Sequence, residues 1–400
     1  MYHKAKFLFF FLNLTIVLPN DGDFRSKFEY NSTSIDAWFK KYNNFGLKKE
    51  KILLESSYAT KINDKLGLSL NILISPNDFY YKDSFLSYNF TDTTYLKMGK
   101  YYRDYSKYLN DSLSSGHLLV SNNAQPLRRI GFNSSKKIKN VKFHFGLSHA
   151  TLEKNDLYIE PPLIHEKYIY MSINKDDNLF GLGFIHEAMW GGNINSEDGK
   201  QGESLKDFLK IFIAADGPLN KGDAHANALG NHLGLWEFFY EKKLQSNTIK
   251  IYHQHLFEDT SGLRFHNRYD GLWGLMIDNK NNTYLLEYLE TTNQNIDPPY
   301  VDEAYYNHWI YDYGWSHQGF AIGNPHINPF EVIPFNMVHF GSNLNFNNKS
   351  LILRVSKKTN INSQINGIVT FKYGKKNMLS LSLYNDKKNF GFSFGYEIIL

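Results

Sequence analysis

His186 and Glu187 stand side by side, and a His-Glu pair invites a zinc-hydrolase reading. That chemistry needs a second histidine one helical turn further on, and position 190 is Trp. His253 and His255 fall on the same side of a strand, Cα atoms ~7 Å apart. Two such imidazoles suffice for a metal only with a third ligand, and the spacing fixes none. Glu258, Asp259 and Asp270 supply carboxylates of the kind that glycoside hydrolysis uses. Acidic residues beside a turn are far commoner than hydrolases, so the pairing alone carries little. No G-x-S-x-G elbow and no phosphate-binding loop occurs, which leaves acyl and phosphoryl transfer without support. The expectation is therefore no catalytic residue, no metal and no cofactor.

Sugar binding is better supplied. A carbohydrate presents C–H faces that stack on aromatic rings and hydroxyls that pair with amides, carboxylates and Arg forks. The glycan-binding candidates are Trp190, Asn193, Asn231, Trp236, Arg264, Asp270, Trp273, Tyr306, Asn307, Trp309 and Trp315. The competing reading for any one Trp is packing, or a place in the aromatic belt at a membrane interface.

The elements that must position these residues follow from composition and periodicity. The chain has 400 residues and no Cys, which removes disulfide scaffolds, Cys-ligated zinc, iron–sulfur clusters and thiol catalysis. Lys plus Arg number 44 against 40 Asp plus Glu, a formal charge of +4 that gives no electrostatic footprint for nucleic acid. With 31 Phe, 28 Tyr and 6 Trp, the composition favours strands and excludes disorder. Lys4 and Lys6 precede a short apolar run, residues 7–18, that Pro19 ends; residues 1–22 are expected to be a signal peptide with an uncertain cleavage site. Twelve residues are too few to span ~30 Å of hydrocarbon as a helix, and no later stretch reaches ~18 apolar residues.

Period-2 alternation, by contrast, recurs along the chain. In residues 390–400 every even position is apolar or aromatic, and the odd positions hold Gly391, Ser393, Gly395 and Glu397, with Ile399 the exception. Leu379, Leu381 and Leu383 alternate with Ser380 and Ser382; Val141, Phe143, Phe145 and Leu147 alternate with Lys142, His144, Gly146 and Ser148. A strand collects such groups on one face, whereas a helix scatters them. Counting gives 18 to 20 strands, enough for an all-β, transmembrane antiparallel barrel over residues 23–400, with long extracellular loops. Residues 193–207, 214–231 and 291–304 read as long polar connections. Residues 103–126 read as a fourth irregular stretch whose Leu118-Leu-Val120 is a short strand or a segment across the barrel mouth.

A set of motifs then narrows the family. Ser114-Ser-Gly-His117, His186-Glu-Ala-Met-Trp-Gly-Gly192, Gly230-Asn-His-Leu-Gly234 and Asp270-Gly-Leu-Trp-Gly274 come in order, followed by Glu287-Tyr288, Tyr306-Asn-His308, Gly314-Trp315 and Gly323-Asn-Pro325. In that order the series resembles the capsule assembly protein Wzi family, from residue 114 to 325 by motif and to the end of the chain by barrel pattern. The resemblance implies an outer-membrane barrel of about 18 strands in a Gram-negative cell. It also implies a lectin-like role, holding capsular or other exported polysaccharide at the cell surface, with outer-membrane lipid and lipopolysaccharide as further partners. Members carry an N-terminal helical plug; here residues 41–57 leave little room before alternation begins, so that plug is expected to be reduced or absent. A porin or glycan-specific channel is the alternative function, and an outer-membrane hydrolase the less favoured one.

Overall fold

The computed structural model describes residues 22–32, 51–76, 78–154, 158–195, 199–218, 228–258, 260–293, 305–360, 365–386 and 389–400. Most of the signal-peptide expectation and residues 41–50 of the plug question lie outside them. Among the described residues, eighteen strands follow one another around a closed antiparallel barrel: β1 (Asp23–Asn31), β2 (Ile52–Lys61), β3 (Leu66–Ile74), β4 in two pieces (Phe79–Tyr81 and Ser84–Thr91), β5 (Thr94–Lys100), β6 (Arg128–Ile138), β7 (Val141–Thr151), β8 (Leu163–Lys175) and β9 (Asn178–Trp190). The circuit continues through β10 (Asn231–Lys243), β11 (Asn247–Phe257), β12 (Gly271–Asn279), β13 (Asn282–Glu290), β14 (Asn336–Phe346), β15 (Lys349–Lys358), β16 (Asn366–Gly374), β17 (Asn377–Asp386) and β18 (Asn389–Ile399). Both pieces of β4 pair with β3, and β18 pairs with β1, Phe28 opposite Tyr396, which closes the sheet and leaves no edge.

Every second connection is a turn of two to four residues, as at 139–140, 176–177 and 347–348. Lys139, Asp176 and Asn347 take the left-handed backbone there, with φ of 56°, 53° and 55°, as tight hairpin turns require. The intervening connections include 101–127, 191–230, 258–270 and 291–335, all at the opposite end. Barrels of this kind keep short turns in the periplasm and long loops outside.

The alternation is obeyed strand by strand. Phe392, Phe394 and Tyr396 are exposed on the outer wall, while Ser393 is buried on the inner one. Leu379, Leu381 and Leu383 are likewise exposed, as are Phe145 and Leu147 beside buried Ser148. Exposure of so many apolar groups to water would be unfavourable, so this wall is lipid-facing. No helix among the described residues is long and apolar enough to cross a membrane, a statement that leaves strands untouched.

Two local features depart from the sequence expectation. Residues 205–207, the end of a connection expected to be polar loop, open helix α1 (Leu205–Phe212): Ser204 accepts from the Asp207 N–H, and the Asp207 carboxylate accepts from the Ser204 backbone in return. The reciprocal cap satisfies orphan donors that would otherwise destabilise so short a helix. Residues 101–127 contain no strand at Leu118–Val120; they descend into the lumen as an internal plug, with Tyr105, Leu113, Leu118 and Leu119 at most 1% exposed.

Candidate functional site

The barrel interior is built around that plug. Inward positions of successive strands carry carboxylates, and each is met by hydroxyl or N–H donors. Glu187 on β9 accepts from Tyr105 at 2.5 Å; Glu237 on β10 accepts from Ser106 at 2.7 Å and from Tyr170 at 2.5 Å. Glu287 on β13 accepts from Ser114 Oγ at 2.6 Å, from the Ser115 N–H at 2.5 Å and from Tyr252. Glu166 on β8 pairs with Arg129 at 2.8 Å and accepts from Ser148 at 2.9 Å. All four carboxylates are at most 3% exposed. A buried carboxylate is tolerated only with such partners, so Glu187, Glu237 and Glu287 specify where the plug must lie, while Glu166 ties three wall strands together.

His117 shows how closely the plug is fixed. Its Nδ1 accepts from the Leu119 and Val120 N–H groups, at 3.0 and 3.2 Å, so the proton sits on Nε2, which donates to Glu237 at 2.9 Å. Arg103 ties the arms of the plug together, donating to the Val120 carbonyl at 2.9 Å and to Asp111 at 2.7 Å. Two tyrosines on the wall reach their carboxylates only because a glycine faces them across the strand pair. A Cβ at Gly274 would stand 2.0 Å from the Tyr252 ring, and one at Gly183 2.3 Å from the Tyr170 ring.

Over the plug, at the outer mouth, lies a cap formed by residues 305–335. Tyr306 donates to the Leu118 carbonyl and accepts from the Asn324 N–H at 2.7 Å; the Trp315 indole donates to the Leu119 carbonyl at 2.9 Å. Asn324 donates to the Gly116 carbonyl at 2.8 Å, and Asn123 to that of Ala321 at 2.9 Å. A two-residue ribbon, Ser316–His317 against Phe320–Ala321, stiffens the cap. Burial lowers the pKa of His308 and of His317 to about 4.

The eleven sequence candidates are scattered over three environments. Trp315 and Tyr306 are fully buried between cap and plug and offer no face to a polymer outside. Asp270, also fully buried, accepts from Tyr305 and from the Asn293 N–H at 2.8 Å, fastening the cap to the rim rather than pairing with another carboxylate; Asp259 lies outside the described residues. Asn231, at the head of β10, is buried, and Asn193 bridges to Glu160 and Lys200 in the 191–230 connection. Asn307 donates to the Asn328 carbonyl at 3.0 Å.

Trp236 and Trp273 point to the outer wall: Trp236 packs on Phe184 at 4.7 Å, and Trp273 stacks on His253 at 3.6 Å. They belong to an outward girdle of aromatic and imidazole rings, the interface belt. Trp190 is nearly buried against Phe208 of α1 at 5.7 Å. Of the remaining two, Arg264 is exposed in the 258–270 connection and Trp309 is 59% exposed on the cap.

The histidines singled out in the sequence also face outward rather than into the lumen. His186 Nε2 and His232 Nδ1 are 2.9 Å apart on the outer wall, while neighbouring Glu187 faces the lumen, so the pair cannot act on one substrate. His255 packs on Phe265 at 4.5 Å and contacts the Asp270 carbonyl at 3.1 Å. Among the described residues no group of three His, Cys, Asp or Glu is placed to hold a metal ion. Sequence reasoning missed two exposed aromatics at the mouth, Tyr269 (55%) and Phe330 (49%), and the inward carboxylate series. The latter had a signal: Glu166, Glu187, Glu237 and Glu287 each occupy an inward register position.

Comparison with known proteins agrees with this architecture. The family described as Capsule assembly protein Wzi matches residues 15–389. No curated protein matches by sequence search. Among solved structures, Escherichia coli Wzi is described as an outer membrane protein involved in group 1 capsule assembly and a carbohydrate-binding β-barrel. It aligns with 100% of this chain and 89% of its own, at 14% identity and a TM-score of 0.62. A variant of the Rhodopseudomonas blastica porin aligns with 95% of this chain and 99% of its own, at 10% identity and a TM-score of 0.40, too distant to carry argument. With the family spanning nearly the whole chain and a β-barrel common to both folds, this outer-membrane barrel belongs to the capsule assembly protein Wzi family.

Proposed function

We propose that the barrel binds capsular or other exported polysaccharide at its capped outer mouth and anchors it to the cell surface, without turning it over. The observation that carries the reading is the filled lumen: a plug fixed to three buried wall carboxylates, roofed by the cap, leaves a surface to which a polymer docks. Family membership, and the description of E. coli Wzi as carbohydrate-binding, support the same choice of ligand. The contacting groups we favour are the exposed ones, Trp309, Phe330, Tyr269 and Arg264. Each ring gives a repeating sugar one modest stacking contact, and several along one chain sum as multivalent binding does. Lipopolysaccharide is the neighbour expected around the barrel at this end.

The test compares retained and shed polysaccharide in cells carrying the parent protein, a deletion, or Trp309→Ala/Phe330→Ala. Shedding by the double variant, with heat-modifiable migration intact, is the expected result; parental retention by a normally inserted variant would remove these residues from the site. A channel is the second reading, favoured by one feature. A polar crevice of about 370 Å³ remains between the plug and β3–β4, lined by Asn71, Lys82, Asp83, Lys107 and Asp111. Steady ion conductance of the purified parent barrel in planar bilayers would favour that reading.

A further inference from the structure

One stretch of the outer wall differs from ordinary lipid-facing barrel surface. Across β3–β7 the wall is concave, an apolar groove of about 830 Å³ lined by Leu68, Leu70, Leu86, Met98 and Ile130. At its outer end the lining becomes cationic, with Lys100 and Arg128 on adjacent strands in direct register. Both share one carboxylate, Glu153, at 2.6 and 3.2 Å, and the next residue, Lys154, is exposed. Among the described residues here, three cations stand against one anion, which leaves this rim positive, and the Arg128 side chain is 68% exposed.

Helix α1 lies beside the groove, on the outside of the barrel. Ile211 and Phe208 form its inner face, Phe208 packing on His149 at 5.1 Å, a residue that also lines the groove. Lys167 on β8 donates to the Phe212 carbonyl at the end of the helix. The opposite stripe is also apolar and exposed among the described residues: Leu205 is 75% exposed, Leu209 56% and Ile213 71%. A short helix with a second apolar stripe, flanked by Lys206 and Lys210, has the character of an interfacial helix whose stripe enters acyl chains.

We propose that this face binds lipid A, the phosphorylated and acylated anchor of lipopolysaccharide, with acyl chains in the groove and along α1 and a phosphate at Arg128. The long connections put this rim at the outer leaflet, where the phosphorylated lipid of a Gram-negative cell is lipid A. Charge complementarity at the rim, and continuity of the groove with the lipid-facing wall, select it over a protein partner. The proposal deepens the expectation of lipopolysaccharide as a neighbour by giving it a site. It uses no polysaccharide readout, so either reading can fail alone.

The test is native mass spectrometry of the full-length purified barrel titrated with lipid A, with dephosphorylated lipid A and with phosphatidylglycerol. The parent should retain one lipid A, and removing its phosphates or introducing Arg128→Ser should each weaken retention roughly tenfold. Leu205→Ser/Leu209→Ser should shorten retention of the acylated lipid while heat-modifiable migration stays parental. Equal retention by Arg128→Ser, phosphatidylglycerol bound as tightly as lipid A, or a lipid-free dimer would each overturn the proposal. Should Arg128→Ser not fold, the dephosphorylated lipid decides the matter on the parent protein.

Discussion

Replacing Glu287 by Ala should release the plug and open the barrel. Its carboxylate is 1% exposed and accepts from three donors: Ser114 Oγ, the Ser115 N–H and the Tyr252 hydroxyl. Truncation takes this acceptor from all three donors, at about 1–3 kcal/mol for each buried bond lost. Water entering the vacated space recovers part of that, so the net loss should be about 3–6 kcal/mol. Barrel strands do not depend on this residue for their ladder, since β13 keeps its pairing with β12 and β14. The cost therefore falls on plug docking: the donors regain partners in water only if residues 113–116 leave the wall. Single-channel recording in planar bilayers should show long open events for Glu287→Ala that the parent lacks. Glu287→Gln, which keeps one carbonyl acceptor, should give an intermediate frequency. If Glu287→Ala conducts no more than the parent and residues 101–127 stay resistant to protease, the wall carboxylate does not hold the plug.

Three further outcomes follow from the same geometry. Gly274→Ala drives a Cβ into the Tyr252 ring, so it should reproduce a weaker form of the Glu287→Ala conductance while the barrel still inserts. Arg at position 381, on the lipid face, should cost ~2–4 kcal/mol in folding titrations into bilayers, and Ser380→Arg, facing the lumen, much less; equal costs would reverse the register of β17. The cap should loosen in acid: His317 is 1% exposed and burial lowers its pKa to about 4. Below the unfolded value near 6.5 only the unfolded cap takes up the proton, so stability is full above about pH 6.5 and is lost as pH falls toward 4. The loss from this residue is at most about 3 kcal/mol. Hydrogen exchange in residues 305–335 should accelerate over that window, and His317→Gln should reduce the dependence to the part that His308 contributes.

The repeated alternation by itself determined that this chain is a transmembrane barrel, and which residues of β18 or β17 face lipid. A strand sends neighbours to opposite faces, and the two solvents of a membrane barrel demand opposite side chains, so a local pattern carries the answer. The same rule separated Glu287 from Tyr288, one inward and one outward, although the sequence reading took the pair as a motif without assigning faces. Helix α1 was legible in principle from Ser204 and Asp207, but the apolar period of eight residues was too short to stand out from loop. What the tertiary structure alone decided is where the irregular segments go. Ser114 meets a carboxylate 173 residues away, and Trp315 donates to a carbonyl 196 residues back along the chain. Such pairings have no periodicity, because they depend on how the closed sheet brings inward groups around one lumen. Trp309 and Trp315 are therefore equivalent in sequence, yet one is exposed on the cap and the other is sealed beneath it by a hydrogen bond to the plug.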